Sequence, residues 1–109
     1  MQAVLPIKTL PDAALDAAQT FTSDWLPAIR DHLSKGENLV VVLPHAAYDH
    51  DDWRRATVRD LARAYAPVRV NFITAGSDDA VDASVEYLSN AAGVTGQYLP
   101  LNTGAHADE

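Results

Sequence analysis

The segment His45–Asp52 holds the densest group of side chains that could carry out chemistry. It contains two histidines, His45 and His50, and three carboxylates, and it directly follows the apolar run Asn38–Leu43. Open α/β sheets bind ligands at the carboxyl ends of their strands. Imidazoles and carboxylates there could ligate a divalent metal or transfer protons. The alternative, which we favour, is a solvated loop whose acids lie at the N-terminus of the next helix.

A second polar turn, containing Gly76, follows the apolar run Val68–Thr74. In a parallel sheet this turn would lie at the same edge as His45. Because glycine has no Cβ, Gly76 could let a ligand approach the backbone, or it could simply allow a turn with positive φ, which we favour. The candidate ligand edge therefore consists of His45, His50 and Gly76. Their spacing matches no metal-binding motif, so we predict no metal ligands.

These side chains must be positioned by alternating strands and helices. Apolar runs predict strands at Gln2–Ile7, Asn38–Leu43, Val68–Thr74 and Gln97–Leu101. Apolar residues at helical spacing predict helices at Asp12–Ser34 (interrupted near Thr20–Ser23), Asp51–Tyr65 and Asp78–Ala91. Such alternation predicts an α/β fold: a small Rossmann-like three-layer sandwich of about four mostly parallel strands, with helices on both faces. We expect one domain over residues 1–102 and a flexible acidic tail over 103–109.

Composition excludes several classes of function. The 109 residues carry a formal net charge of −7 and no cysteine, so disulfides and thiolate chemistry are ruled out. A nucleic-acid partner is not expected, because phosphate contacts need clustered Lys and Arg. No apolar run is long enough to cross a bilayer, and the segment Met1–Lys8 has no basic residue ahead of its apolar stretch. We expect a cytoplasmic protein without a membrane partner.

Two segments resemble the short-chain dehydrogenase/reductase family. Val68-Arg69-Val70-Asn71, after the helix ending near Tyr65, is similar to the helix and strand that end in "VRVN" in that family. Val94-Thr95-Gly96-Gln97, after the last helix, is similar to the family's "VTGQ" element and is the more specific of the two. The resemblance extends from about Trp25 to Asn102 and corresponds to the C-terminal half of such an enzyme.

The family's functional residues are missing from this sequence. Members bind NAD(P) through a glycine-rich turn, whereas no Gly-x-Gly occurs here. Their chemistry needs a Tyr and a Lys four residues apart, and the matching positions hold Ala47 and Asp51. The resemblance therefore implies no catalytic residues, no bound cofactor and no dehydrogenase activity from this chain alone.

Three hypotheses on function follow. The first is a non-catalytic protein that acts as a homodimer or in complex with a full-length short-chain dehydrogenase. The resemblance implies pairing through the helix Asp51–Tyr65, so Trp53, Val58 and Tyr65 are candidate contacts. The second is a small-molecule or metal-binding protein with a site rebuilt around His45, His50 and Gly76. The third is a folded relic without a present role.

Overall fold

Strands and helices alternate throughout the computed structural model, which describes residues 2–101. In chain order the elements are β1 (Gln2–Pro6), α1 (Ala14–Thr20), a π-helical turn (Phe21–Trp25), α2 (Leu26–Ser34), β2 (Asn38–Leu43), a 3₁₀ turn (Tyr48–His50), α3 (Asp51–Tyr65), β3 (Val70–Thr74), α4 (Asp78–Asn90) and β4 (Tyr98–Leu99). Every predicted strand and helix is present, with small shifts at the ends. The tail predicted at 103–109 lies outside the described residues.

The four strands form one parallel sheet in the order β1-β2-β3-β4. Strands β2 and β3 are central, and nearly every residue in them is buried, as a continuous apolar run predicts. Strands β1 and β4 form the two edges. Strand β4 is only two residues long, and Pro100, which follows it, cannot donate a ladder hydrogen bond.

Helices cover both faces of the sheet. Side chains alternate along β2, so that Leu39 and Val41 lie in the core shared with the π-helical turn, α2 and α3. Val40 and Val42 lie in a second core, where they pack with Leu88 of α4. The predicted three-layer α/β sandwich is confirmed. Among residues 2–101, no helix is long and apolar enough to cross a membrane.

The predicted interruption of the first helix is a π-helical turn. It lies between α1 and α2, and Pro27 occupies the first turn of α2, where a missing N–H costs no hydrogen bond. Phe21, the first residue of the turn, is 1% exposed. Its ring lies 5.2 Å from that of Trp53 and 5.6 Å from that of Phe72. The turn thus inserts an aromatic ring between α3 and the sheet.

The two segments that resemble short-chain dehydrogenases bind to each other. The Asn71 side chain donates to the carbonyl of Val94 (3.1 Å) and accepts from the N–H of Gln97 (3.0 Å). The Thr95 hydroxyl accepts from the N–H of Val70 (3.0 Å). Asn71 is 1% exposed, so water cannot reach its side-chain amide. The hydrogen bonds to Val94 and Gln97 take the place of the hydrogen bonds that water would otherwise make. Both segments therefore have structural roles in joining β4 to the sheet.

Gly96 completes this junction, where a side chain would strain the backbone and press on α3. Its φ is +74°, a left-handed conformation, and an added Cβ would lie 3.0 Å from the Cβ of Ala62 in α3. Nearby, the Arg69 guanidinium donates to the carbonyls of Leu88 and Ala91 at 2.8 and 2.9 Å. Both carbonyls also accept a backbone N–H, so Arg69 adds a second hydrogen bond to each at the C-terminus of α4.

Candidate functional site

A cavity of about 390 Å³ opens at the carboxyl ends of β1 and β2. Its lining comes from the loop after β1, the loop after β2 and the start of the helical segment that follows. The lining residues are Leu10, Pro11, Asp12, Pro44, His45, Ala46, Ala47, His50 and Arg54. Its volume is in the range of small-molecule pockets, and its position is where open parallel sheets bind ligands.

His50 lines this cavity, but both of its ring nitrogens are already bound within the fold. The side chain is 3% exposed. The Trp53 indole N–H donates to Nδ1 (3.2 Å), so Nδ1 is the acceptor and Nε2 carries the proton. Nε2 then donates to the carbonyl of Asp12 (2.9 Å). The neutral imidazole joins the loop after β1 to α3, so it is a structural residue and not a free base or metal ligand.

His45 and Gly76 are placed differently from each other. His45 lines the cavity and is exposed. Gly76 lies beyond the end of β3, outside the residues that line the cavity. The N–H of Ala75 donates to the carbonyl of Leu43 (2.7 Å), which keeps this turn at the same sheet edge. Gly36 and Gly96 are the described glycines with positive φ, so the turn at Gly76 does not use the positive φ we expected.

The described residues give no support to a metal centre at this edge. Among residues 2–101, no group of three or more His, Asp or Glu side chains is arranged to hold a metal ion. His50 could ligate a metal only by giving up one of its two hydrogen bonds.

Arg54 is a buried charge at the inner end of the cavity. It is 0% exposed, the largest of the fully buried side chains. Its Nη1 donates to the hydroxyl of Tyr98 in β4 (3.2 Å), and Nε has no hydrogen-bond partner. The guanidinium carbon lies 5.4 Å from the Trp53 ring centre and 5.8 Å from that of Tyr98. Aromatic faces stabilise a cation but do not neutralise it.

Within the part of the chain that the structure describes, no carboxylate forms an ion pair with this guanidinium. The ion pairs found within residues 2–101 join other groups: His32 with Glu37, Lys35 with Asp31, and Arg63 with Asp60. Arg54 was not among the site residues predicted from the sequence, because an arginine on a helix usually lies on its solvated face. The signal was available, since Arg54 lies four residues before Val58 and seven before Leu61, on the stripe that is buried.

The three candidate interface residues of α3 face the interior to different degrees. Val58 is 1% exposed and belongs to the core, so it cannot contribute area to a contact with another chain. Trp53 is half-buried between His50, Arg54 and the core. Tyr65 is also half-buried, and its hydroxyl accepts a hydrogen bond from Nε of Arg30 (2.8 Å). Of the three, Tyr65 alone lines the surface groove between α2 and α3.

Comparison with known proteins gives one family. The family model described as "Short chain dehydrogenase-like protein" (SDR-like) matches residues 5–101, which is most of the 109-residue chain. Searches of curated proteins and of solved structures find no match. The match includes the end of β1, all of β2, β3 and β4, the cavity and both segments that resemble short-chain dehydrogenases, so the chain belongs to the SDR-like family of short chain dehydrogenase-like proteins.

Proposed function

We propose that this protein binds a small molecule in the cavity at the carboxyl ends of β1 and β2, without hydride transfer. The observation that carries the proposal is the cavity of about 390 Å³, which has Arg54 buried in its lining. The positions matching the family's Tyr and Lys lie at this same edge but hold Ala47, which lines the cavity, and Asp51. The space is therefore available to a ligand while the proton-transferring pair is absent.

A nicotinamide dinucleotide does not fit the described residues. Its pyrophosphate needs a glycine-rich turn, where backbone N–H groups can approach closely. The loops after β1 and β2 contain no glycine, and Leu10, Pro11 and Pro44 occupy the lining. We therefore expect neither NADH nor NADPH to change the midpoint of thermal unfolding.

The proposal is tested by filling the cavity. The Ala47→Phe variant places a ring at the exposed part of the lining, and Ala92→Phe, at an exposed position after α4, is the matched control. A library of small metabolites, neutral and charged, is screened by amide chemical shifts of the full chain. We expect hits that move the amides of Ala46 and His50 in the wild type and in Ala92→Phe but not in Ala47→Phe. Absence of any hit at these amides would refute the proposal.

A second function, association with another chain, is favoured by the groove between α2 and α3. The groove, about 330 Å³ in volume, is lined by residues of both helices: Thr22, Leu26, Arg30, Thr57, Asp60, Leu61, Ala64 and Tyr65. The resemblance implies that these two helices pair across a dimer. We propose that a second copy of this chain, or a full-length short-chain dehydrogenase, binds there.

Light scattering of the purified chain tests this association. Ala64→Arg adds a charge to the exposed wall of the groove, and Ala83→Arg adds the same charge on α4, which covers the other face of the sheet. We expect a dimer for the wild type and Ala83→Arg, and a monomer for Ala64→Arg. A wild-type chain that is monomeric at every concentration, and that does not bind a full-length dehydrogenase, would contradict this second function.

A further inference from the structure

Arg54 carries a positive charge that the fold surrounds but does not neutralise. A guanidinium taken out of water loses its hydration, and this loss is normally balanced by a carboxylate or phosphate that accepts several of its N–H groups. Among residues 2–101, Tyr98 accepts one hydrogen bond from Arg54, Nε has no partner, and no carboxylate forms an ion pair with it. Because Arg54 also lines the cavity, its missing counter-charge has a place to bind.

The helix that carries Arg54 adds a second feature directed at the same cavity. The helical segment 48–65 begins at the cavity wall formed by Ala46 and Ala47. No side chain caps its first N–H groups. Uncapped N–H groups at a helix N-terminus and the positive end of the helix dipole both favour an anion, and the carboxylates of Asp49, Asp51 and Asp52 in the first turns of this segment offset part of that attraction. A helix start alone would define no site, but a buried guanidinium one turn further along the same helix gives it a partner.

We propose that this cavity binds one small oxyanion, the carboxylate or phosphate group of a metabolite, with Arg54 as its counter-charge. The inference rests on the proposed function, since it names the chemical class of ligand for the same cavity. The planar guanidinium suits two-point binding of either group. Asp12 also lines the cavity and brings a negative charge to its exposed side, so the site suits a single anionic group better than a polyanion such as a triphosphate.

Titration with two simple anions tests this site in the full chain. The probes are inorganic phosphate and acetate, each balanced with sodium chloride at constant ionic strength, and the readout is amide chemical shifts. The variants are Arg54→Met and the control Arg59→Met, which removes the same charge from an exposed position of α3. We expect saturable shifts at Ala46, Ala47 and His50 for at least one probe, with a dissociation constant at least tenfold higher in Arg54→Met and unchanged in Arg59→Met. Which probe binds distinguishes a phosphate ligand from a carboxylate ligand.

Other results would overturn the inference. Shifts that do not saturate, or that are equal in the wild type and both variants, indicate a general salt effect and refute the site. If Arg54→Met fails to fold, the titration of the wild type still tests the site. The saturable shifts must then occur at the cavity amides, and saturable shifts near the exposed arginines instead would refute the site. If neutral molecules bind these amides while neither anion does, the proposed function stands and the anion inference fails. If nothing binds there, both fail.

Discussion

Replacing Arg54 with methionine and Tyr98 with phenylalanine together should make the unliganded protein more stable, not less. The guanidinium is 0% exposed and has no carboxylate partner among the described residues, 2–101. Exchanging buried ionic groups for apolar side chains of similar volume is often neutral or stabilising by about 1–4 kcal/mol. The single change also leaves the Tyr98 hydroxyl without its donor, which costs about 1–3 kcal/mol. The informative variant is therefore Arg54→Met combined with Tyr98→Phe, which removes both polar groups.

The double variant should gain about 1–3 kcal/mol in free energy of unfolding. Part of the gain is lost because the guanidinium no longer contacts the aromatic rings of Trp53 and residue 98. For a domain of this size, each kcal/mol corresponds to roughly 4 °C in the midpoint of thermal unfolding. The assay is urea unfolding in a buffer free of phosphate, sulfate and carboxylates, with the slope m checked for constancy. Arg59→Met, which removes an exposed charge, should change the free energy by less than about 0.5 kcal/mol.

With anion added, the wild type should have a higher free energy of unfolding than the double variant, the reverse of the order without anion. A ligand at one hundred times its dissociation constant stabilises the folded state by about 2.7 kcal/mol, and this gain should be confined to proteins that keep Arg54. A loss of more than about 2 kcal/mol in both the single and double variants, without anion, would refute the reasoning. That result would mean that Arg54 stabilises the fold through the contacts to Trp53 and Tyr98.

Three further predictions concern the fold around this site. Asn71→Ala should lower the free energy of unfolding by about 1–3 kcal/mol, measured by urea unfolding, because the N–H of Gln97 loses its acceptor in a buried setting; an unchanged midpoint would contradict this role. Gly96→Ala should cost about 1–3 kcal/mol in the same assay, through its positive φ and the contact with Ala62, whereas Gly93→Ala, with open space around the added Cβ, should cost much less. Leu88→Ala should cost about 2–4 kcal/mol, because Leu88 is 0% exposed in the core under α4, and a smaller loss would mean that this core collapses around the change.

The fold could be predicted because the local signals agree with one another. The run Asn38–Leu43 is apolar at every position after Asn38, which is possible only for a strand buried on both faces. Ser77 begins α4 as a side-chain cap, accepting from the N–H of Ala80 (3.1 Å), and Pro100 ends the last strand. The π-helical turn at Phe21–Trp25 was visible only as an interruption, because its geometry depends on rings from α3 and β3.

The site was harder to predict because its residues are defined by contacts distant in sequence. His45 and His50 look equivalent in the sequence, but His50 is closed off by Trp53 and by Asp12, a residue from the loop after β1. Nothing local to the segment His45–Asp52 shows this. Gly76 lies at the predicted edge yet outside the cavity, since the loop after β1, and not the turn after β3, forms the opposite wall.

Arg54 shows how a departure from a pattern can point to function. Arg54 lies on the buried stripe of α3 together with Val58 and Leu61. Stability alone would favour an apolar residue at position 54. A charge at such a position lowers stability unless something neutralises it, and such costs concentrate at binding sites. In the same cavity, Ala47 stands where the resemblance places the family's tyrosine. The proposed anion site therefore rests on this guanidinium, in a cavity that has an alanine where the resemblance places the family's phenol.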